Sequence, residues 1–113
     1  MKKIDIIVML LNEITGNSKI CTGHVYMDDA GNFKGSMTDY HNPAGPMIIS
    51  QGEFGPMVSL FYFRFDGEEY KVVLSESVIP VETGVVVAGL VGEYGLVNGE
   101  RTGRAIATFV TVE

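Results

Sequence analysis

The chain has 113 residues, 46% of them hydrophobic, and a formal net charge of −6, so it fits one domain (residues 1–113) with enough apolar material for a core. The acidic balance argues against duplex nucleic acid or an anionic membrane surface as partner, because both are bound by clustered Lys and Arg. The single cysteine, Cys21, excludes an internal disulfide, and no apolar run approaches the roughly 18 residues that span a membrane.

The N-terminal segment, residues 4–14, is compatible with two structures. Its apolar residues follow helical spacing, and Gly16 would lie just past a helix end. β-branched residues such as Ile6 and Ile7, however, lose χ1 freedom in a helix, so the composition favours a strand. Because Asp5 interrupts the apolar run and no cleavage site follows it, the segment does not resemble a secretory signal, and we expect a cytoplasmic protein.

Fourteen glycines divide the rest of the chain into short runs of β-branched and aromatic residues. Short strands at spacings of roughly 8–12 residues are typical of antiparallel sandwiches and barrels. Together with residues 4–14, the pattern predicts about seven to eight strands. The remaining predicted strands cover residues 19–27, 33–40, 47–51, 57–65, 69–75, 85–91 and 101–112.

Glycine pairs mark two of the connections. Asp66-Gly67 favours a type I′ hairpin turn, and Asn98-Gly99 is a second hairpin signal. Gly92 and its neighbours at positions 89 and 95 lie within an apolar run, where they indicate bends or close backbone packing.

Prolines interrupt the pattern in two places. Pro43 and Pro46 remove backbone donors and fix φ, so residues 41–46 are predicted to form a loop. Pro80 reduces residues 77–83 to an edge strand or a loop.

One architecture accommodates this many strands in so few residues. An antiparallel up-and-down meander of about seven to eight strands can close into a small barrel, which removes exposed edges. Eight strands would leave an interior just wide enough for side chains or for one small ligand. The predicted fold class is therefore an all-β barrel, with an open two-sheet sandwich as the alternative.

This layout is similar to that of avidin-like and lipocalin-like barrels. The segment Gly31–Met37 resembles the glycine-containing second strand of an avidin, and Ser59–Phe65 resembles its central aromatic strand. The resemblance covers about half of the chain and implies a small closed barrel. Avidins close their biotin pocket with tryptophans, and this chain has none, so biotin binding does not carry over.

Aromatic and methionine side chains on the predicted strands would suffice to line an apolar cavity, and equally to fill a closed core. Arg64 is a special case, since an inward guanidinium would hold a ligand carboxylate, whereas an outward one is a surface arginine. Tyr40 and His41 lie beside the proline segment, where an aromatic ring next to an imidazole suits binding. The candidate ligand-binding residues are Tyr40, His41, Phe61, Phe63, Arg64 and Tyr70.

A second group of residues has the chemistry of a catalytic or metal site. Asp28-Asp29 precedes Ala-Gly-Asn, however, which is the composition of a turn, so we expect no metal ion and no other cofactor. Cys21 lies on a predicted strand and is expected to be a small buried hydrophobe rather than a nucleophile served by a histidine. The residues of this second group are His24, Asp28, Asp29, Asp39, Tyr40 and His41.

These observations favour a non-catalytic binding module, because no nucleophile, base and orienting group occur at diagnostic spacing. Such a module would hold a small apolar or anionic ligand or present its loops to a protein partner. One alternative is a self-associating homo-oligomer in which the apolar segments 85–91 and 106–112 form a β-interface. Another is a small hydrolase or isomerase that uses the His/Asp/Tyr group near residues 24–46.

Overall fold

The chain folds into an all-β antiparallel barrel, as predicted. The structure, a computed structural model, describes the backbone of residues 1–78, 81–82 and 85–112, while the side chains of residues 76–88 and 111–113 lie outside the description. The described residues contain no helix of the length and hydropathy that crossing a membrane requires. The strands are β1 (Lys2–Asn12), β2 (Ser18–Met27), β3 (Asn32–Asp39), β4 (Asn42–Glu53), β5 (Ser59–Phe65), β6 (Glu68–Val78), β7 (Val81–Glu82), β8 (Val85–Leu96) and β9 (Arg101–Val112).

Eight of the described strands, all except the two-residue β7, form the barrel wall. Strands β1 to β6 pair in sequence order, β6 pairs with β8, and β9 pairs with both β8 and β1. All pairings are antiparallel, so the barrel is a simple up-and-down meander whose last strand returns to its first. Closure rules out the open sandwich.

Alternating burial assigns each side chain of β1 to one side of the wall. Ile4, Ile6, Val8 and Leu10 point into the barrel, and the residues between them point outward. A helix would bury residues with a period of 3.6 rather than two. The ambiguity of residues 4–14 is therefore resolved, and the predicted strand is confirmed.

The Asp66-Gly67 turn between β5 and β6 is of the predicted type. Asp66 has a φ of 53° and Gly67 a φ of 77°, and two successive positive φ angles define a type I′ turn. The turn sets a register in which Phe63 lies opposite Tyr70. Both side chains belong to the inward set of their strands, so the turn brings two aromatic rings together inside the barrel.

The predicted loop over residues 41–46 is wrong, because β4 already begins at Asn42. The turn before it is confined to residues 40–41. The strand tolerates its two prolines because β3 and β4 shift register between Met37 and Asp39. A bulge leaves residues outside the regular hydrogen-bonded ladder, where a missing N–H costs little.

The predicted edge strand or loop over residues 77–83 lies partly outside the described residues. Its described part contributes the end of β6 and the whole of β7, which pairs only with the start of β8. The predicted strand over residues 85–91 is the first half of β8.

The two ends of the barrel are built differently. At one end, Phe54 from the β4–β5 connection packs on Phe109 with ring centroids 5.4 Å apart, and its N–H donates to the carbonyl of Gly31 at 2.8 Å. Phe109 in turn lies 5.6 Å from Phe33, near the start of β3. The opposite end, where the β1–β2, β3–β4, β5–β6 and β8–β9 connections meet, is called the open end.

Candidate ligand-binding site

A cavity of about 310 Å³ opens at the open end of the barrel and is called the cup. Inward side chains near the ends of five strands form its apolar part, and the β1–β2 hairpin forms most of its polar part. Because strand backbones fix these positions, the cup is largely formed before any ligand arrives. Its lining consists of Leu10, Asn12, Thr15, Asn17, Ser18, Lys19, Met47, Phe63, Phe65, Tyr70, Tyr94 and Thr102.

Three aromatic rings form one side of the cup. Phe63 and Tyr70 stack with ring centroids 5.0 Å apart and planes 10° from parallel, and Tyr94 lies 6.4 Å from Tyr70. Burial raises the pKa of both tyrosine hydroxyls, and for Tyr70 the Glu68 carboxylate raises it further. Both hydroxyls are therefore protonated donors at neutral pH, and that of Tyr70 donates to Glu68 at 3.3 Å.

The β1–β2 hairpin, residues 13–17, is held in place by short-range hydrogen bonds. The side-chain oxygen of Asn12 accepts from the backbone N–H groups of residues 14 and 15 at 2.9 and 3.1 Å, which is the usual role of Asn at a turn. The N–H of Glu13 donates to the carbonyl of Thr102 on β9 at 3.1 Å. The polar rim is thus tied to the barrel wall rather than projecting freely.

Lys19 is the charged residue among the described side chains that line the cup. Its ammonium lies 4.2 Å from the centroid of the Phe65 ring and 3.9 Å from a carboxylate oxygen of Asp39. The latter distance is long for a charge-assisted hydrogen bond, so Asp39 neutralises the ammonium only in part. Lys19 is placed to bind an anionic or hydrogen-bond-accepting group of a ligand.

Behind Met47 lies Cys21, which is fully buried, with its Sγ 3.8 Å from the Met47 sulfur. Burial, with a smaller contribution from Asp39, raises the pKa of the Cys21 thiol to about 11. A nucleophilic cysteine needs the opposite shift. His24 lies three residues further along β2, and hence on the outer face, so it does not approach the thiol.

We expect the free energy of unfolding to fall as the pH rises from about 9 to about 11, the range between the ordinary and the folded pKa of Cys21. The unfolded thiol loses its proton near 9.0, whereas the folded thiol keeps it to about 11. Between these two pH values the folded chain binds more protons than the unfolded chain. The stabilising contribution of the protonated thiol is therefore fully present below the unfolded pKa and is lost progressively as the pH rises towards the folded pKa. Urea unfolding across this pH range measures the loss. Cys21→Ala retains the tyrosines, and its free energy of unfolding should fall less over this range than that of the wild type. An equal fall in both proteins would contradict the assignment of the effect to Cys21.

The six predicted ligand-binding residues occupy four different places. Phe63 and Tyr70 line the cup. Phe61 is 1% exposed within the core, and Arg64 lies on the outer face, 3.5 Å from Glu69. The remaining two, Tyr40 and His41, form the exposed β3–β4 turn, with their rings 5.4 Å apart.

The predicted His/Asp/Tyr group is spread over the barrel. His24 packs edge-on against Tyr26 at 5.5 Å on the outer face, whereas His41 lies in the turn at the open end. Asp28 accepts backbone N–H bonds from Ala30 and Asn32, both at 2.9 Å, which lowers its pKa and fits the turn interpretation. Among the described side chains, no three His, Cys, Asp or Glu residues are placed to hold a metal ion.

Sequence reasoning missed Lys19, Tyr94 and the cup residues from β1, from the β1–β2 hairpin and from β9. A usable signal was present, because an up-and-down meander places alternate hairpins at the same end. The inward residues nearest to those hairpins could therefore have been grouped as one site. Tyr94 also lies an even number of residues from the buried Leu90, and hence on the same inward face of β8.

Comparison with known proteins does not assign the chain to a family. No protein-family model, no curated protein and no solved structure matches the chain. The small closed barrel implied by the avidin-like and lipocalin-like layout is present, and membership of either family is not supported.

Proposed function

We propose that the protein is a non-catalytic binding module that holds one small, mainly apolar molecule in the cup, with an anionic or hydrogen-bond-accepting group of that molecule directed at Lys19. The observation that carries the proposal is the cup itself, an aromatic-lined cavity of about 310 Å³ beside the packed core that the described side chains form. Small-molecule sites are typically such cavities, mostly apolar with a few polar groups that fix orientation.

The aromatic side of the cup favours a flat ligand. Phe63 and Tyr94 are buried and hold the partly exposed Tyr70 ring in place, so Tyr70 offers ring surface that gains from contact with another ring. Because these side chains are held by strands and by one another, binding costs little conformational entropy.

The polar side of the cup favours an acceptor on the ligand. The Lys19 ammonium and the Tyr94 hydroxyl are donors, and the two carboxylates next to the lining, Asp39 and Glu68, are engaged with Lys19 and with the Tyr70 hydroxyl. A charged group placed at Lys19 would exchange the long contact with Asp39 for a shorter charge-assisted hydrogen bond.

Two related dyes test the proposal. Anilinonaphthalenesulfonate is anionic, whereas phenylnaphthylamine has the same ring system without the sulfonate. We expect both to bind at one site per chain and to raise the melting temperature. Lys19→Met should weaken the anionic dye about tenfold and leave the neutral dye unchanged. Lys34→Met, at an exposed lysine of β3 outside the cup, should affect neither.

A blocked cup provides the second control. Thr102→Trp places an indole across the cup, and Ser18→Trp does so from the rim if the first variant folds poorly. Both should abolish binding of the two dyes while the circular dichroism spectrum is retained. Dye binding that survives in a folded blocked variant would show that the cup is not the site.

A further inference from the structure

The outer face of the barrel carries an apolar patch separate from the cup. It consists of five large side chains that are between 36% and 47% exposed. Met9 lies opposite Ile20 of β2 on one side and opposite Ile106 of β9 on the other, so the row crosses three neighbouring strands. The side chains of this outer patch are Ile7, Met9, Leu11, Ile20 and Ile106.

The patch continues into a shallow groove. Val91 of β8 lies opposite Ile106 and extends the row to a fourth strand. The groove beside it, about 380 Å³, is lined by Met9, Leu11 and Ile106 from the patch, by Val73, Val91 and neighbouring small residues, and by Glu93 and Arg104 at its end. A contiguous apolar surface with a polar rim is typical of a protein interaction site.

The charges of the described side chains around the patch balance, although the chain as a whole carries −6. One end has Lys3 and Asp5, which continue the outward series of β1. The other end has two arginines joined by ion pairs to two glutamates. Among the described side chains, three basic and three acidic ones border the patch, so these residues add no net like-charge repulsion between two copies. They are Lys3, Arg101, Arg104, Asp5, Glu13 and Glu93.

The arrangement of these charges is self-complementary under a two-fold axis. Asp5 lies just beyond Ile7 at one end of the patch, and Arg104 lies opposite Leu11 at the other. An axis in the interface plane, crossing the strands between Ile7 and Met9, would stack β1 antiparallel on its copy. Each Arg104 would then approach the Asp5 end of the other copy, as an isologous interface requires.

We propose that the outer patch is the interface of a symmetric homodimer, in which two barrels pack face to face through β1 and β9. Packed sheets bring side chains of facing strands into contact at an inter-sheet distance of about 10 Å. The patch side chains then become buried, and the two Asp5–Arg104 pairs fix the relative orientation. The cup opens at the end of the barrel, so both cups stay accessible.

Sedimentation velocity over a wide concentration range tests the dimer. We expect a monomer–dimer equilibrium that Ile106→Glu weakens at least about tenfold, because a buried charge without a partner replaces an apolar contact. The matched control is Ile48→Glu, at an isoleucine of β4 that is 50% exposed, against 45% for Ile106, and outside the patch. It should leave the equilibrium unchanged.

A charge exchange tests the orientation. Asp5→Arg and Arg104→Asp should each weaken the dimer, and the double variant should restore it, because the pair is re-formed with its signs reversed. The proposal would be overturned by a wild-type chain that stays monomeric throughout, by equal effects of the two isoleucine variants, or by a double variant no better than the single ones.

Discussion

Gly92→Ala should lower the free energy of unfolding by about 3 kcal/mol or more, and Gly92→Val should prevent stable folding. Gly92 lies in β8 between Leu90 and Tyr94, on the face of the strand that points into the barrel. A Cβ atom there would overlap the carbonyl oxygen of Val73 and approach the Cα of Leu74 at 2.8 Å. The obstructing atoms are backbone, so no rotamer change relieves the clash, and β6 and β8 would have to separate.

The position of the clash explains why the expected effect is large. Leu74 lies opposite Gly92 in the β6–β8 pairing, immediately before a register shift between Leu74 and Glu76. Glycines at such places let strands approach closely while a small barrel bends to close. At three other inward glycines an added Cβ atom would likewise overlap a carbonyl oxygen of the neighbouring strand. They are Gly23, Gly35 and Gly103.

Gly45→Ala is the matched control for this experiment. A Cβ at Gly45 would meet only the Phe65 ring at 3.9 Å, an ordinary contact, and alanine loses less backbone entropy on folding than glycine. We expect its free energy of unfolding to stay within about 1 kcal/mol of wild type. Urea unfolding followed by circular dichroism measures both variants. A Gly92→Ala protein as stable as Gly45→Ala would show that β6 and β8 do not approach as described.

The strands were readable from sequence because their information is local. Asp66-Gly67 encodes its own turn, and Phe61 and Phe63 share a face whatever lies across from them. The barrel followed from the number of strands and the need to cover edges. The wrong loop at residues 41–46 has a non-local cause, because prolines end a regular ladder but are tolerated where a neighbouring strand shifts register.

The cup was only partly predictable because it depends on contacts between strands distant in sequence. Phe63 and Tyr70 were both predicted as ligand-binding residues, and they lie on the two strands of one predicted hairpin. Lys19 joins them from β2 and Tyr94 from β8, and nothing near either residue in the sequence shows that they meet. Arg64 was predicted as a ligand-binding residue on the condition that its face of β5 points inward. The sequence of β5 alone did not decide which face that is, and Arg64 lies on the outer one.

Phe61→Ala should cost about 3–5 kcal/mol of unfolding free energy, the usual effect of removing a fully buried phenylalanine. The Phe61 ring lies 6.1 Å from Phe33 and 6.3 Å from Phe63, in a core too constrained to collapse fully into the space left behind. Its neighbour Tyr62 points outward, with the Lys71 ammonium 5.7 Å from its ring. Tyr62→Ala should therefore cost about 1 kcal/mol or less. Urea unfolding compares the two.

Dye binding to the same variants separates a core residue from a ligand contact. Phe61 is absent from the described cup lining, whereas Phe63 belongs to it. At a temperature where each variant is folded, Phe61→Leu should retain the affinity for phenylnaphthylamine and Phe63→Leu should lower it, because only the latter removes a ring from the stacked pair. If Phe61→Leu lowered the affinity and Phe63→Leu did not, the ligand would reach deeper into the barrel than the cup and would contact Phe61 in the core.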